Sequence, residues 1–291
     1  MGQSLAPPPY VQTSKTVRVT EHIWVIPDGR VALVPNIGIV VGNKATLVID
    51  AGLGIRNGQA TLEEARKVSR NAITYLASTH FHPEHTTGFQ VFPAQNQLVR
   101  AAVQQQEVVA SIQEYIDLFR KMSPVHAELL KGVRPRLPDI TFERDVEVDL
   151  GGITARLFTL GPAHTLGDTF VLIKEEGVLF CGDVVTNRFY PIFPDMKSDG
   201  NNWISVTAQL AAMNPRIVIP GHGEVGDGLL ITRESTLLRD LRTRTARLKR
   251  EGKTVEAAVQ LLIVEMRAAY PQWEAPDYLA NGIRRFYADA R

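Results

Sequence analysis

The chain has a single cysteine, Cys181, in 291 residues, so no internal disulfide can belong to its framework. It has no apolar run near the ~18 residues that a membrane-spanning helix needs. Charge of either sign is not in excess: the formal net charge is +1, which gives no overall pull toward nucleic acid or an anionic membrane. No repeat of solenoid period occurs. The stretch Met1–Tyr10 lacks the basic start and apolar core of a signal peptide, and its polar, Pro-rich character resembles the start of a mature exported protein. A periplasmic or secreted location is expected on that ground, and a cytoplasmic one otherwise. What remains is ordinary for a globular protein, with 44% hydrophobic and 22% charged residues to build a sizeable core. Residues 1–15 read as a disordered tail and 16–291 as one domain.

Histidine is also scarce, and its placement is uneven. The chain holds seven, of which three fall within six positions of Ser78-Thr-His80-Phe-His82-Pro-Glu84-His85. His80, His82, Glu84 and His85 can each offer a lone pair to a metal ion. The run Ile73 to Ala77 before them is mostly apolar and reads as a strand that ends where these residues begin. Pro83 then prevents further pairing and turns the chain toward a short helix before Gly88. Such a turn can aim His80 and His82 one way and Glu84 and His85 another.

The rest of the chain repeats this grammar. Short strands fill Thr16 to Asp50, and Thr61 with Glu64 reads as a capping box for a helix whose inner stripe is Leu62, Ala65 and Val68. Val108, Ile112, Tyr115, Ile116 and Phe119 recur at helical spacing, so residues 103–133 read as a helical insertion that covers the cleft. Strands resume from Ile140. His164 follows one of them in a Gly-rich loop, Asp183 ends a hairpin, and His222 follows the strand Arg216 to Ile219. Residues 230–291 read as C-terminal helices. Two halves with strands, a helix and polar residues at strand ends predict two αβ layers packed sheet against sheet. Five histidines and two carboxylates at such ends suit two divalent ions that leave water a place. His22 and His126 lie apart and read as surface or packing residues, though His126 could face the cleft.

Five pieces in order carry a resemblance: Val48-Ile-Asp50-Ala-Gly, Thr79-His-Phe-His-Pro-Glu-His85, Gly161-Pro-Ala-His164-Thr-Leu-Gly167, Cys181-Gly-Asp183 and Pro220-Gly-His222-Gly. Together they resemble the metallo-β-lactamase superfamily. The resemblance implies an α/β fold, the four-layer αββα sandwich, with its site along one edge of the sheets. It implies that His80, His82 and His164 hold one metal, that Glu84, His85 and His222 hold a second, and that Asp183 bridges them. Glu84 and Asp183 are thereby read as catalytic as well as metal-binding. Glu84 departs from the family, which usually has the shorter Asp there. Asp183 stands where the commonest zinc β-lactamases use Cys, and Cys181 reads as buried packing. Asp50 reads either as a carboxylate that orients a ligand histidine or as a cap on the turn after it.

The activity so implied is a dinuclear zinc hydrolase, in which a metal-bridging hydroxide attacks an ester, lactone, thioester or β-lactam carbonyl. The alternative is an oxidoreductase like the persulfide dioxygenases of related fold, with one iron. A nucleic-acid processor is the third class. Its feature would be the basic stretch Arg239 to Arg250, but Asp240 and Glu251 interleave there, which favours a solvated helix face. The expected partner is a small-molecule substrate, with neither nucleic acid nor membrane, and the oligomeric state is left open. Arg188, Tyr190 and Lys197, from the loop Val184 to Asn202, are candidate substrate contacts, though each reads more readily as a surface residue.

Overall fold

Strands that are apolar on both sides need cover on both faces, and this requirement shapes the molecule. The computed structural model describes residues 7–290. Its first half contains β1 (Val17–Arg18), β2 (Ile23–Ile26), β3 (Ile37–Val41), β4 (Thr46–Ile49), α1 (Gly54–Val68), β5 (Ile73–Ala77), α2 (Pro83–Thr86), β6 (Gln97–Ala101), α3 (Ala102–Met122), α4 (Pro124–Leu129) and β7 (Ile140–Phe142). The seven strands form one sheet in chain order, antiparallel as far as β4 and parallel from β4 to β7. The second half contains β8 (Asp145–Asp149), β9 (Thr154–Phe158), β10 (Phe170–Ile173), β11 (Val178–Gly182), α5 (Gly200–Ala212), β12 (Ile217–Pro220), α6 (Leu229–Arg250), α7 (Val255–Ala269) and α8 (Leu279–Asp289). Its five strands lie in the order β12-β11-β10-β9-β8, and only β11 and β12 run parallel.

The sheets meet through Leu47, Ile49 and Val99 on one side and Leu157, Val171 and Phe180 on the other. Val48 and Leu76 face outward against Leu62 and Ala65 of α1. Leu179 and Cys181 face outward against Trp203 of α5 and Leu237 and Leu241 of α6. The layers therefore run helix, sheet, sheet, helix, as expected. Each fully buried Leu or Phe contributes roughly 1.5–3 kcal/mol relative to exposure, so the central layer is a main source of stability. The edge strand β8, Asp-Val-Glu-Val-Asp, turns its acids outward, which discourages pairing with another chain.

Two local expectations fail. Thr61 does not cap α1, because the helix already starts at Gly54 and Thr61 donates its hydroxyl to Ala51 O at 3.2 Å from inside it. The tail is not loose over its described part. Tyr10 N and Val11 N donate to Asn57 Oδ1 at 2.7 and 2.9 Å, and Val11 is buried. Residues 1–6 lie outside the described residues. No helix among the described residues is long and apolar enough to cross a membrane.

Candidate metal centre

Each expected ligand is carried to the same sheet edge by a strand that ends there. β5 ends at Ala77, and Thr79 N then donates to Asp50 Oδ1 at 2.8 Å, which holds the His-rich turn against the end of β4. Pro83 starts the four-residue helix α2 with His82 just outside it, so Glu84 and His85 turn away from His80 and His82. β11 delivers Asp183 and β12 delivers His222, side by side because the two strands are parallel neighbours. Gly221 makes this approach possible, since a Cβ there would overlap Asp183 Oδ1. His164 comes from the loop before β10, where Asp168 accepts Thr165 N and Oγ1 and tightens the turn.

These residues form two groups, His80 with His82 and His164, and Glu84 with His85, Asp183 and His222. The ligand atoms of each lie within 4.8 Å of one another. In the first, His82 Nδ1 lies 3.0 Å from His80 Nε2 and 3.2 Å from His164 Nε2. His164 Nδ1 lies 2.7 Å from Ile192 O, which can only accept, so Nδ1 carries the proton and the Nε2 lone pair faces His82. Burial, followed by the charges of neighbouring histidines, pushes His80 and His82 well below the usual histidine range, and burial lowers His164. Three neutral rings whose nitrogens converge repel one another unless a cation sits between them.

The second group is charged. Glu84 is buried, which raises its pKa. His85 Nδ1 lies 2.9 Å from Asp50 Oδ2; although burial opposes charge on the ring, Asp50 and Asp183 push it up to about 9. His222 is raised by Asp183 against the same burial. Asp183 is held well below the usual carboxylate range, since burial is outweighed by His222, His85 and His80. Its Oδ1 lies 3.5 Å from His85 Nε2 and from His222 Nε2, while its Oδ2 lies 3.7 Å from His164 Nε2 and 4.0 Å from His80 Nε2. Asp183 thus stands between the two groups. Glu84 Oε2, His85 Nε2 and Asp183 Oδ1 are buried without a hydrogen-bond partner. Buried polar atoms seldom stay unpartnered, and donors of this kind at this spacing fit divalent cations.

A comparison with known families now has a geometry to meet: the family model described as the metallo-beta-lactamase superfamily matches residues 30–222. The chain belongs to that superfamily. Among curated relatives, it is 18% identical over 254 residues to a linear primary-alkylsulfatase of Pseudomonas sp. (strain ATCC 19151), covering 75% of this chain and 48% of the relative. It is 25% identical over 195 residues to the lactamase-like protein vrtG of Penicillium aethiopicum, covering 67% and 53%. The chain spans about half the length of these relatives. Among solved structures, it is similar in fold to a metallo-beta-lactamase from Pontibacter korlensis, with TM-score 0.64, 18% identity and coverage of 78% of this chain and 99% of that one. It also resembles the stereoselective inverting sec-alkylsulfatase Pisa1 from Pseudomonas sp., with TM-score 0.71, 14% identity and coverage of 94% and 50%.

Residues of α3 lie over the two ligand groups. Tyr115 stacks on His82 with ring centroids 4.6 Å apart and donates its hydroxyl to Asp195 Oδ2 at 2.9 Å. Farther back, Gln104 accepts from Ser78 Oγ at 2.6 Å, and Glu107 accepts Leu166 N at 2.9 Å and Gly167 N at 2.8 Å. Neither residue was singled out in the sequence, although both are polar interruptions of an apolar helix face. Of the candidate substrate contacts, Tyr190 is buried and donates to Met266 O at 2.9 Å, and Lys197 donates to Ser111 Oγ at 3.2 Å. With Arg188 they lie outside the lining of the cavity above the candidate metal centre. Tyr278, which had no motif to reveal it, does line that cavity, and Glu84 and Asp183 lie close enough to help burial raise its pKa. His126 packs edge-on against Tyr10 at 5.9 Å, and His22 Nδ1 lies 2.9 Å from Glu176, so neither joins the site.

Proposed function

We propose that the protein is a dinuclear zinc hydrolase of ester-type bonds, with His80, His82 and His164 at one ion, Glu84, His85 and His222 at the other, and Asp183 between. The observation that carries this reading is the pair of ligand groups sharing Asp183. Two zinc ions would supply Lewis acidity and a water that ionises near neutral pH. The chain's own residues do the rest. Asp50 fixes the His85 ring through Nδ1, and Ile192 O fixes His164 in the same way, so each presents Nε2 inward. The Tyr115 ring shields one face of His82 from water. Tyr278 lines the cavity beside these groups and its hydroxyl can donate a hydrogen bond to a substrate oxygen.

Support for hydrolysis over nucleic-acid processing also comes from α6, three of whose basic residues are engaged. Arg244 pairs with Asp240 at 2.8 Å, Arg247 with Glu265 at 2.9 Å, and Lys249 donates to Tyr287 O at 2.8 Å. The test is metal analysis of the purified protein together with assays on aryl ester, lactone, thioester, β-lactam and alkyl sulfate substrates. Bound zinc at about two per chain and chelator-sensitive turnover of at least one substrate are expected. One iron per chain with no hydrolysis of any substrate would transfer the assignment to the dioxygenase.

A further inference from the structure

The cavity above the metal centre has a volume of about 510 Å³, within the range of sites that enclose a small molecule. Its floor is polar and is made of His82, Glu84, Asp183 and His222. Its walls are not. α3 contributes Leu118, Phe119 and Met122, and the loop after Asp183 contributes Ile192, Phe193 and Pro194. Val31 and Leu33, from the segment before β3, add to the apolar lining. Leu118 and Met122, one helical turn apart, are 53% and 54% exposed, so apolar surface continues from the wall to the rim.

The charges around this wall exclude one kind of substrate. Among the described residues, Arg30 is the cation that lines the cavity, and it is already occupied. It pairs with Glu224 at 2.8 Å and Glu274 at 2.9 Å, and its guanidinium lies 5.1 Å from the Phe189 ring centroid. Asp28 is spent as well, accepting Gly223 N at 2.9 Å. Asp277, exposed on the lining, adds a negative charge. A carboxylate on the substrate away from the reacting bond would therefore meet an acid and no free cation.

We infer that the substrate carries a neutral, flexible alkyl or acyl chain, which lies along Leu118, Phe119, Met122 and Ile192 while the bond to be hydrolysed sits on the floor. This rests on the hydrolase reading and names the substrate class within it. Carboxylic esters or lactones of medium-chain acids and medium-chain alkyl sulfates share that chemistry. Substrates with a free carboxylate on the chain away from the reacting bond do not.

Two measurements test this separately from the hydrolase reading. The first uses the full chain as purified and follows displacement of the neutral dye N-phenyl-1-naphthylamine by straight-chain alcohols from butanol to decanol. Affinity should rise two- to fourfold per methylene, as burial of about one CH₂ at a time predicts. Leu118→Asp and Met122→Asp, both at exposed positions, should flatten that rise, whereas Val109→Asp on the outer face of α3 should not. The second compares kcat/KM for p-nitrophenyl esters and for alkyl sulfates of increasing chain length on the zinc-loaded protein. Whichever series is turned over should show the same rise, and the long-to-short ratio should fall about tenfold or more in Met122→Asp. Dye and alcohol binding that is absent, or independent of chain length and of both variants, would overturn the inference whatever the activity. Chain-length-dependent binding with no turnover of either series would leave the chain pocket standing and remove the hydrolase assignment.

Discussion

The two ligand groups lie side by side but are held by opposite means. The first is neutral: three buried rings, two of them well below the usual histidine pKa, with His164 steadied by a backbone carbonyl at 2.7 Å. The second is charged: two carboxylates of its own and two histidines raised by Asp183, with His85 held by the Asp50 carboxylate at 2.9 Å. A neutral nitrogen triad is preorganised, because nothing within it must lose a proton before a cation enters. The charged group must first release protons from His85 and His222 before their nitrogens can bind a cation, so its strength depends on pH and on the reach of its carboxylates. The first group should therefore be the more robust of the two, and the second the place where small chemical changes are felt.

The largest effect should come from breaking the robust group. His164→Ala removes one of three nitrogens and also frees Ile192 O and the ring contact with Trp203 at 5.9 Å. Loss of an ion's electrostatic contribution, several kcal/mol, predicts a fall in kcat/KM on the order of a thousandfold. Metal analysis should show that the loss of activity follows the loss of an ion. A variant that keeps both ions and most of its turnover would place His164 outside the metal's reach.

This asymmetry explains why parts of the molecule could be read from the chain and others could not. The gathering of the candidate ligands was legible because they sit in short motifs beside Gly and Pro, where tight turns at strand ends leave a local signature. The αββα layering was legible for a related reason, since Val48 and Leu179 lie in short apolar strands that need cover on both faces. The cavity wall was not. Leu118, Ile192, Val31 and Tyr278 are far apart in sequence, and each looks like an ordinary surface or core residue until the fold assembles them. Thr61 misled because Ser or Thr three residues before Glu has the same spacing inside a helix as at its start. Tyr190 read as a surface residue and is buried, because chemical type says nothing of direction. Tyr190 turns inward to Met266 O, at 2.9 Å.

The next effects should fall on the charged group. Glu84→Ala leaves His85, His222 and the shared Asp183, so binding of the second ion should weaken well beyond the roughly 10–100-fold typical of a lost supporting contact. Glu84→Asp keeps a carboxylate on a shorter arm and should retain two ions with modestly altered turnover. Isothermal titration with zinc would separate the two variants; equal affinity in Glu84→Ala and wild type would show that Glu84 does not touch the metal. Asp50→Asn should have a smaller effect: its single amide oxygen can accept from His85 Nδ1 or from Thr79 N but not both, and the charge is lost. A fall of about 10–100-fold in second-site affinity is expected, with the first site unchanged. Equal weakening of both sites would mean that the two groups are not independent.

The smallest effect on turnover is expected from Glu107, which supports the first group through the backbone of the His164 loop. Its two oxygens accept Leu166 N and Gly167 N at 2.9 and 2.8 Å, and Gln in its place can accept only one of these while presenting an amide to the other. Glu107→Gln should therefore cost about 1–3 kcal/mol of stability at acidic pH and little activity once folded. Burial, opposed by those two N–H groups, pushes the carboxyl up from 4.5 to about 7. Between these values the unfolded chain has lost the proton and the folded chain has kept it. The folded state binds more protons there, so the wild type loses stability as pH rises through this window, by up to about 3 kcal/mol, and the loss is complete above pH 7. Glutamine does not titrate, so the stability gap between wild type and Glu107→Gln should narrow from pH 5 to pH 7.5. Urea unfolding of both proteins at those two pH values measures it. A gap that stays constant or widens would mean that Glu107 is ionised throughout and that the loop is held by a charged carboxylate.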